Sequence, residues 1–514
     1  MMMTANIKYG ILGLCMVLTA SCDRILEVDV PDNLVHNEFW QNRDQVYSSL
    51  IGLYTSLHNN LNSYHAWGDV RSSFYAPGTG DSFTGAYGQF MGHDIYPDNG
   101  LLSWASVYRS ITWINSFIKN APTALEHDNT FSPAELQSMM GEAYALRALN
   151  YFYLVRAFKE VPIINEPYES DNQKFDTSPS SEDEVLDFIE ADLQQALNDA
   201  PSTFEAVNHR YGRITKNAVR ALWADVKLWR NDYQGCIDLC NQLEAQYASA
   251  LVSPLSWYTI FNPGNSTESI FEFQYGQLGP ASPLYGWFAL VSRANADGEK
   301  YLANATNVNI NAAEVLYPPV LPGYASSDTI RLKAFSLVNP SPVSNGYGAA
   351  MEVHKFLGTA PYQVSYRPAN ARDAHYIFYR YREVLFMKAE AYAMLNRYTE
   401  AEQQINIIRE HCNIPALAPG EGGEGTEFMT RLLMEREYEL GFEGKEWFAA
   451  VRVARRPGYE GVLREKSALN NSMGISYQVI RARLLDPESW FLPYHLAEVE
   501  NNPQLDQKPY YKNK

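Results

Sequence analysis

Apolar residues recur at helical spacing in several separate stretches of the chain. Trp40, Val46, Leu50, Leu53 and Leu57 lie within Phe39 to Leu57 and predict a helix beginning near Asn37. Trp104, Val107, Tyr108, Ile111 and Ile114 predict a second, running to Lys119. Ser132 as a cap and Pro133 in a first turn open a long helix through AELQSMMGEAYALRALNYFYLVRAFKEVP. Its stretch from Ala143 to Val155 is apolar almost all round, the mark of a buried helix. Arg147 within it then needs a carboxylate, from Glu142 or from a distant residue. Asp183 to Leu197 is amphipathic again, and YGRITKNAVRALWADVKLWRNDYQGCIDLCNQL reads as two helices turning at Asn231 and Asp232.

That last pattern returns. Ala224, Asn231, Tyr233 and Cys236 align at one constant offset with Ala389, Asn396, Tyr398 and Ala401. This is the spacing of tetratricopeptide-like hairpins, in which small residues let helices approach and a tyrosine fills the turn. The Trp40 and Arg147 helices are candidates for diverged copies, giving a helical scaffold over roughly 35–250 and 376–455.

Between these helices the periodicity stops twice. Residues 59–100 mix Gly, Pro, Asp and Asn with Tyr64, Trp67, Phe74, Tyr75, Phe83, Tyr87 and Tyr96, and a loop of that length in a compact protein is usually functional. Residues 251–375 form a second, larger irregular insertion that carries Trp257, Trp287 and Tyr324 and one short alternating strand, SIFEFQY. Gly78 and Gly80 lack the third glycine and the strand and helix context of a dinucleotide site. PGEGGEG, from Pro419 to Gly425, is a flexible loop.

The stretch MEREYELGFEGKEWFAAVR, from Met434 to Arg452, concentrates charge on an amphipathic helix and its continuation. Glu435, Glu439 and Glu443 share one face, while Arg436 falls on the apolar stripe of Met429, Leu432, Leu433 and Leu440. A charge there requires a carboxylate partner, which reads as a structural charge network.

Composition narrows the functions. With 41 basic and 59 acidic residues, the formal net charge of -18 opposes binding to a phosphate backbone, so nucleic acid is not an expected partner. Aromatic residues make up 13% of the chain, and rings with a polar tip suit contact surfaces. Met1 to Lys8, the short apolar run Ile11 to Leu18 and the small residues Thr19, Ala20 and Ser21 before Cys22 form a signal peptide that looks like a bacterial lipobox. Acyl chains on Cys22 would tether the mature protein without spanning, because no later stretch reaches the roughly 18 apolar residues of a membrane helix. Cys236 and Cys240, one turn apart, lack further ligands at zinc spacing and read as buried helical cysteines beside Cys412. No cofactor is expected, and nothing supports a structural calcium ion.

Four segments resemble the SusD/RagB family, the surface lipoproteins that capture nutrients for Bacteroidetes outer-membrane transporters. The first comprises Glu142, Leu146, Arg147, Ala148, Tyr151, Leu154, Val161 and Pro162, and the second Arg382, Glu383, Val384, Leu385, Ala389, Glu390 and Ala391. The Met434 to Arg452 stretch, with its ER, EL, FEG and WF, is the third. Pro493, Glu498, Asn502, Pro503, Gln507 and Tyr510 are the fourth, where Lys508 replaces the family's usual Asn. Asp328, Thr329 and Ile330 resemble an O-glycosylation acceptor. The resemblance implies a mainly α SusD-like fold spanning 22–514 after a signal peptide at 1–21, an outer-membrane lipid anchor, and a SusC-like TonB-dependent barrel as partner.

It further implies a non-catalytic binder of glycans on aromatic platforms. The candidates are Tyr64, Trp67, Tyr75, Tyr87, Tyr96, Trp287 and Tyr324, with Arg71, Asp81 and Asp94 as polar partners. Trp67 and Trp287 lead, because both lie in the non-repeat segments where the family places its ligand site. Peptide capture, as in RagB-like members, is the alternative. A surface glycosidase is remote, since neither a nucleophile elbow nor a zinc spacing is present, and a purely structural role beside the barrel is a further reading.

Overall fold

The computed structural model describes residues 39–72, 75–77, 85–169, 173, 175–254, 256–276, 281–288, 301–304, 343–344, 349–351, 354–356, 358, 373–469 and 475–514. The signal peptide, Cys22 and the Asp328 to Ile330 motif lie outside the described residues.

Several helices begin at a residue whose side chain caps a free N–H group. Helix α1 (Arg43–Asn59) starts at Asn42, whose side chain accepts from Gln45 N at 3.0 Å. It is followed by α2 (Leu61–Gly68), the short α3 (Ala86–Met91) and α4 (Ala105–Asn120). The segment read as one irregular loop thus contains two helices. In α2 the residues Leu61, Tyr64, His65, Ala66 and Trp67 are all buried, so tertiary packing overrides its modest helix propensity.

The long helix α5 (Pro133–Phe158) is capped by Ser132, as its sequence predicts. Helix α6 (Glu182–Asp199) packs along it and starts with a capping box between Ser181 and Glu184. Arg147 finds its carboxylate in α6: both Asp192 oxygens accept from the guanidinium at 2.8 Å. Glu142 turns elsewhere, to Arg213 and to the hydroxyl of Tyr54 at 2.5 Å.

The repeat seen in the sequence is a repeat in space. Helices α7 (Lys216–Trp229) and α8 (Tyr233–Tyr247) form one hairpin, and α9 (Tyr381–Met394) and α10 (Tyr398–His411) form the other. Both turns carry asparagine in the left-handed region, Asn231 at φ 67° and Asn396 at φ 59°. In both, the following tyrosine donates its hydroxyl to that asparagine at 3.3 Å. Helix α8 packs against α9, so the hairpins stack although a long insertion separates them in sequence.

The insertion returns through a two-stranded antiparallel ribbon. The expected strand is β2 (Ser269–Phe273), paired with β6 (Tyr376–Arg380), and every residue of both is buried. A second sheet joins β1 (Tyr75–Pro77), β3 (Tyr301–Asn304), β5 (Ala349–Met351) and β4 (Val343–Ser344) in that order. Helix α11 (Gly425–Leu440) packs against α9, and α12 (Glu446–Ala454) packs on α11 and α2. The core is continuous from Trp40 to Leu505.

Candidate functional site

The charge-rich stretch is a buried hub. Arg380 donates to both Glu443 oxygens at 2.9 Å and also meets Glu439 and Glu268, while Arg382 joins Glu439 at 2.9 Å and Glu268 at 3.1 Å. Lys355 adds a 2.7 Å contact to Glu443. Arg436 meets Glu383 at 2.9 Å, and Lys445 pairs with the same carboxylate. Arg452 bridges Glu390 and Asp225, and Asp225 also accepts from Arg156 at 3.0 Å. These side chains tie β6, α7, α9, α11 and α12 to one another.

The network is not shaped for substrate. The adjoining cavity, between Trp257, Phe261, Arg380, Arg382 and Glu439, has a volume of about 20 Å³, room for little more than a water. Arg380 and Lys355 hold the Glu443 carboxyl below its usual range against burial. Burial dominates at two carboxyls that hydrogen bonds and cations stabilise less fully: Glu446 is pushed up to about 7 and Asp69 to about 6. Asp69 lies under α2, where Tyr75 donates to it at 2.6 Å and the Glu446 N–H at 2.9 Å.

Most sequence-derived platform candidates are interior, which corrects the expectation for them. Tyr64 is fully buried, stacked 4.1 Å from Tyr153, with its hydroxyl donating to Asn150 at 2.6 Å. Trp67 donates its indole N–H to Leu101 O at 2.7 Å and packs edgewise on Phe158. Tyr75 is held by Asp69 and His65, and Trp287 lies 5.0 Å from the His65 ring. Arg71 is spent on Ser489 O and Trp490 O, with its guanidinium 4.0 Å above the Trp447 ring. The physical reason is common to all five. A side chain with no face in solvent cannot stack on or bond a soluble ligand, and rings in glycine-rich sequence serve equally well as core.

Tyr87, Asp94 and Tyr96 reach the surface. Tyr87 is half-buried and donates to Asn62 at 3.2 Å. Asp94 accepts from Arg483 and from Lys514, each at 2.8 Å. Tyr96 is 41% exposed beside a recess of about 370 Å³ lined also by Asp98, Leu496, Val499, Gln507 and Lys512. Asp81 and Tyr324 lie outside the described residues. The contribution of the C-terminal segment to this recess was not legible, because no local pattern joins residues so distant in sequence. Trp113, 47% exposed on α4 and off the stripe of Val107, Ile111 and Ile114, is an exposed ring that does not line this recess.

Cys236 and Cys240 are buried with their sulfurs 3.9 Å apart, and among the described residues no group of side chains suited to a metal ion is gathered.

Two family models match the chain: the SusD family over residues 345–511, and a family described as starch-binding and associating with the outer membrane over residues 32–228. A SusD-like protein of Formosa agariphila is 24% identical over 476 residues, covering 84% of this chain and 88% of that protein. Among solved structures, a SusD superfamily protein from Bacteroides vulgatus superposes with a TM-score of 0.72 at 17% identity, over 92% of this chain and 99% of that one. A laminarin-binding SusD-like protein gives 0.67 at 19% identity, over 92% and 100%. The fold is shared with these SusD superfamily structures, and the two family models match either end of the chain in order, so the chain is similar to the SusD-like family at both ends.

Proposed function

We propose that the protein is a non-catalytic, lipid-anchored lipoprotein of the outer membrane that captures glycan at the cell surface and passes it to a SusC-like TonB-dependent barrel. The observation that carries this reading is the shared fold with a laminarin-binding protein over nearly the whole chain, joined to the match with a family described as starch-binding. The surface candidates for such contacts are the rings of Tyr87, on α3, and Tyr96, in the segment after it, with Asp94 beside them. Anchoring at Cys22 is read from the signal-peptide pattern that precedes it.

Charge favours the same reading. Stacking of a ring on the C–H face of a sugar needs no net attraction, so it tolerates a chain of formal charge -18 that would repel polyanions. Weak single contacts suffice where a polymer offers many repeats.

The test is made in cells. Outer membranes carrying a tagged copy are solubilised, and the co-purifying proteins and glycan uptake are measured. Recovery of a large barrel protein, together with uptake lost on deletion and reduced by Cys22→Ser, is the expected result. Uptake unchanged by deletion overturns the reading.

A further inference from the structure

Tyr96 differs from Tyr64, Trp67 and Tyr75 in how its ring is presented. Tyr64, Trp67 and Tyr75 are interior, whereas Tyr96, between buried Ile95 and half-buried Pro97, is 41% exposed. Its backbone is held on both sides: Gln89 accepts from the Tyr96 N–H at 3.1 Å, and Tyr96 O accepts from Asn99 N at 3.1 Å. The next residue, Pro97, accepts from Leu496 N at 2.9 Å, which fixes the C-terminal segment across the recess. The ring is therefore preorganised on a rigid support.

The rest of the recess is amphipathic. Leu496, 47% exposed, and Val499 supply an apolar floor. Lys514 lies 5.9 Å from the Tyr96 ring centre, but its charge is met by Asp94, which Arg483 also holds. Asp98 and Lys512 line the same recess, and among the described residues neither side chain has an ion-pair or hydrogen-bond partner. One free acceptor and one free donor thus face a ring and an apolar floor.

We propose that this recess is a glycan subsite taking one or two neutral pyranose units. The proposal rests on the glycan-capture reading and assigns that capture to a place built partly by the C-terminal segment, with no lining residue from 251–375 among the described residues. A pyranose matches the arrangement in kind: its C–H face lies on Tyr96 and Leu496, and its hydroxyl rim meets Asp98 and Lys512. The volume is at the small end of ligand sites. An anionic sugar fits less well, because the unpaired ammonium is balanced by an unpaired carboxylate. An extended peptide fits less well too, since its recognition uses free backbone groups at a strand edge and the recess is walled by a proline and a short helix.

The experiment titrates the full chain, purified in detergent, with maltohexaose, cellohexaose and laminarihexaose by calorimetry. Tyr96→Ala, the pair Asp98→Asn with Lys512→Met, and Trp113→Ala are compared with the parent, each checked for an unchanged melting temperature. The expected result is that the hexasaccharide bound by the parent loses about tenfold in affinity with Tyr96→Ala. The paired change weakens it by a smaller factor, and Trp113→Ala leaves it unaltered. Binding that survives Tyr96→Ala within about twofold overturns the subsite and leaves glycan capture standing. A parent protein that binds none of these, nor any polysaccharide, overturns both.

Discussion

Arg436 and Glu383 meet at 2.9 Å in the interior, where α11 crosses α9. Arg436 Nε also lies 3.1 Å from Glu446 without completing a hydrogen bond. Removing the cation alone leaves buried negative charge, so Arg436→Met is expected to cost about 3–5 kcal/mol in urea unfolding. Arg436→Met combined with Glu446→Gln should recover part of that loss. A single variant as stable as the parent would remove the network from the account of the fold.

The stacked hairpins depend on two left-handed residues. Asn231 and Asn396 occupy equivalent turns at φ 67° and 59°. Asn231→Gly and Asn396→Gly are expected to be nearly neutral, and the alanine variants to cost about 1–2 kcal/mol each, because glycine has no Cβ to strain in that region and alanine keeps the Cβ but loses the polar side chain that eases it in asparagine. Equal effects of alanine and glycine in chemical denaturation would contradict the turn geometry.

Gly444 tests close approach. At φ 91° its backbone suits glycine, and an added Cβ would come within 1.9 Å of Tyr376 Oη. At Gly420, φ 81°, a Cβ would meet nothing within 4 Å. Gly420→Ala isolates the backbone term of about 1 kcal/mol, while Gly444→Ala is expected to exceed it by at least about 2 kcal/mol. Comparable melting temperatures for the two variants would contradict the packing of Gly444 on Tyr376 of β6.

The buried carboxyl of Glu446 makes a signed pH prediction. Burial raises it from 4.5 to about 7, so between those values the folded protein binds the proton that the unfolded chain has released. Stability from this group is therefore greatest at acid pH and is lost as pH rises through that window. Relative to Glu446→Gln, the parent should lose stability from pH 4.5 to 7. A difference that is flat or rises across the window, measured by urea unfolding at several pH values, would show that Glu446 is ionised in the fold.

Much of the scaffold was legible because its signals are local. Ser132 and Pro133 mark the start of α5, and the asparagine turns announce the hairpins. Arg436 on an apolar stripe demanded a carboxylate, though not which one. The partner of Arg147 is Asp192 and not Glu142, since positions five apart on a helix face different sides and only the packing of α5 on α6 decides. The candidate site was less legible for a related reason. Trp67 and Tyr96 sit in the same glycine-rich sequence, yet one packs against Phe158 and the other faces solvent. Composition cannot separate them, because burial is set by long-range contacts.

The claim that this chain captures glycan without processing it is tested most directly by affinity electrophoresis against a panel of polysaccharides and peptides, with released reducing ends measured in the same samples. The expected result is retardation by at least one neutral polysaccharide, with no reducing ends released and no retention by peptides. Release of reducing ends, or retention by peptides alone, would contradict it.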